Sequence, residues 1–189
     1  MMIVMALMGL FFAATSYLSR DPRIYQSNAE RLANSIYDTI RNARNNMIIG
    51  RGVLSGSSTM VVTTERTITV SSTGITSSYL YGMSGTGTEE SFPSPFYDND
   101  AQYIISDIAV SSGGMLNGLV PSWDHTGATI ASIIVKPNSD ITITAIKGGT
   151  PIVSTIRTLK LTASYAGFEQ SVVIDRVTGT IEIKKSSED

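Results

Sequence analysis

Cysteine is absent from this 189-residue chain. That excludes disulfide staples, thiolate nucleophiles and cysteine-ligated metal sites together, and the fold must close its own core. Charge is also scarce, at 16% Asp, Glu, Lys and Arg against about 25% in ordinary soluble domains. With a formal net charge of -2, no overall field attracts nucleic acid, so no nucleic-acid partner is expected. Histidine and tryptophan occur once each, as His125 and Trp123, which leaves little material for imidazole chemistry. No Asn-x-Ser/Thr acceptor for N-linked sugar exists.

What is present is uneven. Met1 to Ser19 carries no charge, and at ~1.5 Å per helical residue it spans roughly 28 Å, close to the hydrocarbon thickness of a bilayer. Its Met, Leu, Ile, Val, Phe and Ala side chains favour helix, with Gly9 the single glycine. A secretory signal peptide opens with a basic stretch, and Met1-Met2 instead leads straight into the apolar run. Cleavage near the small residues Ala13, Ala14, Thr15 and Ser16 is the competing reading.

From Tyr25 the pattern becomes amphipathic. Tyr25, Ala29, Leu32, Ile36, Ile40, Ala43 and Met47 recur at steps of three and four, one face of a helix. Glu30, Arg31, Asp38, Arg41 and Arg44 fall on the opposite face, and Gly50 and Gly52 signal its end. Asp21-Pro22 is the expected kink between the two helical halves. The neck from Arg20 to Arg51 is basic, whereas the remainder is acidic.

Beyond Gly52 the period changes to two. Segments 58–74, 102–110, 128–137, 139–146, 158–166, 168–176 and 179–185 are rich in Val, Ile and Thr and read as strands, the last two joined as a hairpin through Val177-Thr178-Gly179. No second crossover-length helix separates them, so antiparallel pairing is expected. Two domains follow: a helical segment over 1–51 and a β-rich head over 52–189. The fold class expected is α+β, a long N-terminal helix packed on a C-terminal antiparallel β-sheet head.

Chemistry-bearing patterns are thin. His125 beside Asp124 lacks a nucleophile-elbow serine, and Asp98 and Asp100 lack the rest of a calcium loop. The glycine-rich stretch 82–90 lacks the Lys-Ser/Thr that grips phosphates, and Glu89 and Glu90 are merely adjacent. Phe92, Phe96, Tyr97, Tyr103 and Trp123 suit core filling or a contact patch. The Ser/Thr-rich stretch 55–78 suits strands with one wet face, or O-linked sugar. No catalytic, metal or cofactor residue is therefore assigned.

The stretches Met2–Ala14, "MIVMALMGLFFAA", and Ala29–Gly52, "AERLANSIYDTIRNARNNMIIGRG", resemble the N-terminal helix of the type IV pilin and pseudopilin superfamily, H-type pseudopilins and minor pilins in particular. The resemblance implies a pilin-like subunit held in the inner membrane, head outside the cytoplasm, until assembly machinery packs the apolar helices of its copies into a filament. Met1, Met2, Ile3, Val4, Met5, Leu7, Met8, Leu10, Phe11, Phe12 and Leu18 would then form the anchor and filament core. Leu32, Ile36, Ile40 and Met47 would dock the helix on the head. The basic leader, aromatic residue and fifth-position Glu of that family do not appear in this sequence; with Gly9 aligned to the family's helix glycine the Glu would precede Met1, and either the chain begins a few residues late or docking would rest on apolar packing alone. The alternative is a single-pass anchored extracytoplasmic binding domain or hydrolase.

Overall fold

The computed structural model describes residues 22–50, 53–54, 60–72, 74–81, 87–90, 103–115, 122–138, 140–152 and 154–185. Among them is one helix, α1 (Pro22–Ile49), followed by twelve strands: β1 (Val53–Leu54), β2 (Met60–Val61), β3 (Thr63–Ser71), β4 (Gly74–Tyr81), β5 (Gly87–Glu90), β6 (Tyr103–Ser111), β7 (Ile130–Val135), β8 (Ile141–Lys147), β9 (Thr150–Pro151), β10 (Thr158–Tyr165), β11 (Phe168–Asp175) and β12 (Ile181–Lys185). They form a six-stranded sheet ordered β5-β4-β3-β7-β8-β9, a four-stranded sheet ordered β12-β11-β10-β6, and the pair β1-β2. Every pairing is antiparallel.

This corrects the expected fold class. The chain is not a pilin-like α+β fold with one long helix laid on one sheet; it is β-rich, built around two larger antiparallel sheets. The segments expected to share one sheet divide between two, β3, β7 and β8 in one and β6, β10, β11 and β12 in the other. Pairing β4 with β3 and β5 with β4 extends a second sheet, so strands rather than the helix supply most of the core. The short pair β1-β2 lies between α1 and β3 in sequence.

Alternation explains the inward faces. Along β3, Arg66, Ile68 and Val70 are buried while Thr67 and Thr69 are half-exposed, the period-two signature of a pleated strand. Ile133 and Val135 of β7 and Ile141, Ile143 and Ala145 of β8 continue that face. From the four-stranded sheet come Ile105, Ile108 and Val110 of β6, Leu159, Leu161 and Ala163 of β10, and Val172 and Ile174 of β11. With the buried stripe of α1 they make one continuous core.

The pairing of β10 with β6 shifts register between Thr162 and Ala163. Ser106 is the extra residue there, and its hydroxyl donates to the Glu169 carboxylate at 2.9 Å. A second local departure is Ala166, whose φ is 50° in the two-residue turn it shares with Gly167 at φ 88°. Such hairpin turns place both central residues at positive φ and favour Asn-Gly. An Ala there costs roughly 1 kcal/mol. Ala166→Asn is expected to raise unfolding stability by about 0.5–1 kcal/mol, read from the midpoint of a denaturant titration at unchanged slope.

Candidate functional site at the helix-head junction

Pro22 stands at the first helical position, where its fixed φ suits the helix and its missing N–H costs nothing. Ala29, Leu32, Ala33, Ile36, Ile40, Ala43 and Met47 are each no more than 2% exposed. They face β10, β11 and β12, with further contacts to β3 and β7. The three alanines let the helix axis approach the sheets, and the larger side chains fill the space between. Burying each Ile, Leu or Met contributes ~1.5–3 kcal/mol.

Both ends of this stripe are fastened by specific groups. At the start of α1 the Tyr25 ring lies 5.8 Å from Tyr165 and 6.2 Å from Phe168, and Tyr103 lies 4.3 Å from Tyr165. At the far end the Thr63 hydroxyl donates to the Met47 sulfur at 3.3 Å. Gly50, at φ 67°, closes the helix with its N–H on the Met47 carbonyl, a left-handed cap. Arg44 Nη1 donates to the Gly179 carbonyl at 2.5 Å.

Gly179 is presented to Arg44 by a turn built on Asp175. The Asp175 side chain is 0% exposed. Its carboxylate accepts from the N–H groups of Val177 at 2.8 Å, Thr178 at 3.1 Å and Met115 at 3.0 Å, with the Arg157 Nε 3.5 Å away. Burial pushes this carboxyl's pKa up, and the amide donors of Met115, Thr178 and Val177 together with Arg157 more than reverse it, leaving it below the ordinary aspartate range. One buried anion thus ties the β11–β12 turn, the 111–115 segment and the Arg44 contact together.

Leu32, Ile36, Ile40 and Met47, expected to dock the helix, sit in this buried stripe. Met1 through Leu18, expected to form the anchor and filament core, lie outside the described residues. So do Asp98, Asp100, Phe92, Phe96 and Tyr97. Among the described residues no helix is long and apolar enough to cross a membrane. Arg44, assigned to the solvent face by its position, is half-buried against Gly179, and neither Asp175 nor Ala33 was singled out.

The loop carrying His125 is ordered differently from a nucleophilic triad. The Ser112 hydroxyl and N–H both donate to the Asp124 carboxylate at 2.6 Å, and those two bonds hold it below the ordinary aspartate range. The serine thus meets the carboxylate directly rather than through the imidazole, while the backbone of His125 bridges to Val110. Trp123 sits under the Lys160 ammonium, 5.1 Å from the ring centre, a cation–π contact. Among the described residues no three His, Cys, Asp or Glu side chains gather as a metal site.

In comparisons with known proteins, no family model, curated protein or solved structure matches the chain.

The arrangement fixes the helix on the head at both ends of its stripe, and three measurements address it. Ile36→Ala removes a fully buried side chain from the middle of the stripe and is expected to cost about 2–5 kcal/mol in denaturant unfolding. Gly179→Ala meets both the positive φ of 66° and the approaching Arg44 guanidinium. It is expected to cost at least ~1 kcal/mol, and adding Arg44→Ala to it should cost less than Arg44→Ala alone, because the two share one contact. For Asp175 the folded pKa lies below the unfolded value of about 3.9. Its contribution is therefore present above that pH and lost as pH falls through the folded pKa. Asp175→Asn should flatten that acid limb of the stability profile.

Proposed function

We propose that this chain is a structural subunit, anchored in the inner membrane by Met1–Ser19 and polymerised through that segment into a filament whose surface is the β-rich head. The observation that carries the reading is the junction. The helix that follows the apolar run in sequence is sunk into the head's core over about five turns, from Ala29 to Met47. A pull on the leading segment is then borne by the whole core rather than by a flexible tether. The resemblance of both N-terminal stretches to pilin and pseudopilin helices supports the same role.

In this role the partners are copies of the same chain, the membrane before assembly, and the machinery that extracts subunits from it. The leading side chains exchange lipid for sister helices of equal apolarity, so association is driven by packing rather than by the hydrophobic effect. The small residues Ala6, Gly9, Ala13 and Ala14 are those that let such helices approach closely. The finished filament is extracytoplasmic.

Full-length protein, released from detergent, is expected to form fibres visible by negative-stain electron microscopy. A variant lacking residues 1–19 is expected to keep the strand-rich circular dichroism of the folded head and to sediment as a monomer. Full-length protein that remains monomeric in bilayers would overturn polymerisation and leave a single-pass anchored head.

A further inference from the structure

The end of the head where α1 begins has an unusual surface. The turn joining β10 to β11 reads Tyr165-Ala166-Gly167-Phe168, with Tyr165 paired to Phe168 across it. A strained Ala stands where Asn or Asp would fit the backbone better, so the exposed tip carries no charge and no amide. Tyr25 packs on both flanking rings, which places the tip beside the first turn of the helix. Ile24 and Ile104 at the same end are 58% and 46% exposed.

Beside the tip lies an open groove of about 340 Å³, with Gln26 and Ala29 of the helix on one side and Phe168, Gln170 and Lys185 on the other. Gln170 and Lys185 are direct cross-strand partners, so both point to the helix face of the sheet. Gln170 is only 5% exposed, and none of the described hydrogen bonds uses its amide. Its amide lines the open groove and can donate to a ligand's acceptor oxygen. Lys185 is exposed and adds a positive charge. Glu169 also lines the groove, its carboxylate held by the Ser106 hydroxyl. The groove therefore offers an amide and an ammonium to one acceptor-rich anion.

The chain preceding the helix decides which anion is near. Tyr25 follows the uncharged run by six residues, a reach of about 9 Å if helical and no more than ~20 Å if extended. With that run in a bilayer, the Tyr25–Tyr165–Phe168 cluster falls at or just outside the headgroup layer, the depth at which tyrosine rings concentrate.

We propose that this end of the head rests on the bilayer holding the leading segment, with the Tyr165–Phe168 tip in the headgroup layer and a phospholipid phosphodiester in the groove between Gln170 and Lys185. The inference rests on the membrane reading above. It also accounts for Ala166: an apolar tip is retained at the expense of turn stability because the tip meets lipid.

The test uses the full chain in vesicles of phosphatidylcholine and phosphatidylglycerol with brominated acyl chains. Single tryptophans are placed in a Trp123→Phe background at Leu10→Trp, Phe168→Trp and the exposed Ile104→Trp, with the native Trp123 chain as reference. Quenching at Leu10→Trp, together with quenching at Phe168→Trp and Ile104→Trp about twofold or more above Trp123, is the expected result. Adding Lys185→Glu or Gln170→Leu should reduce the head signals and leave Leu10→Trp unchanged. Head signals no stronger than that of Trp123, with Leu10→Trp quenched, overturn the docking and leave the anchor intact. Head signals indifferent to Lys185 and Gln170 overturn the groove, and with it the proposal. An unquenched Leu10→Trp overturns the membrane reading itself.

Discussion

The structure depends on seating one helical stripe among strands. A helix repeats every 3.6 residues and a strand every two, so α1 meets the sheets only where side-chain size is adjusted position by position. Ala29, Ala33 and Ala43 bring the backbone close, while Leu32, Ile36, Ile40 and Met47 reach into the space the strands leave. Remove that match and the core loses the wall that α1 supplies.

Apolar packing alone tolerates sliding, because one turn of helix resembles the next. The polar and aromatic groups at the two ends remove that freedom. Arg44 finds the Gly179 carbonyl at one place along the axis, and Tyr25 finds the Tyr165–Phe168 pair at another. The first depends on Asp175, whose acceptance of three amide N–H groups holds the turn in the shape that exposes that carbonyl. Satisfied polar groups in such positions specify one arrangement out of several of similar burial. Arg66 serves in the same manner inside the six-stranded sheet, its Nε donating to the buried Ser77 hydroxyl at 2.9 Å.

Period and propensity made part of this legible from residues alone. The helical stripe was readable because its apolar positions keep their spacing over the whole segment, and β6, β7, β8, β10, β11 and β12 because Val, Ile and Thr alternate with few interruptions. β4 was legible only as a Ser/Thr-rich stretch suited to strands or O-linked sugar, since "GITSSYLY" offers serines where a strand signature needs branched side chains. Its strand state comes from pairing along β3, a tertiary effect that outweighs propensity. The class was misassigned because the strands were expected in one sheet under the helix, whereas they divide between two larger sheets. Arg44 lies next to the stripe residue Ala43 at 100° per residue, a position where helix geometry alone does not decide between solvent and neighbour. Asp175 was invisible for a simpler reason: its partner Met115 is 60 residues away in sequence.

The proposed role sets a further constraint on how such a subunit leaves a membrane. Exposing a buried Met, Leu, Ile, Val or Phe side chain to water costs ~1.5–3 kcal/mol, and the leading run holds many of them. Their sum, on the order of 20 kcal/mol, exceeds the ~5–15 kcal/mol that keeps an ordinary domain folded. In the proposed role, passing that segment through water would thus cost more free energy than the folding of an ordinary domain supplies. The junction withstands extraction only if the apolar run passes from lipid to sister helices without an aqueous interval. In the proposed role, assembly would then take place at the membrane surface.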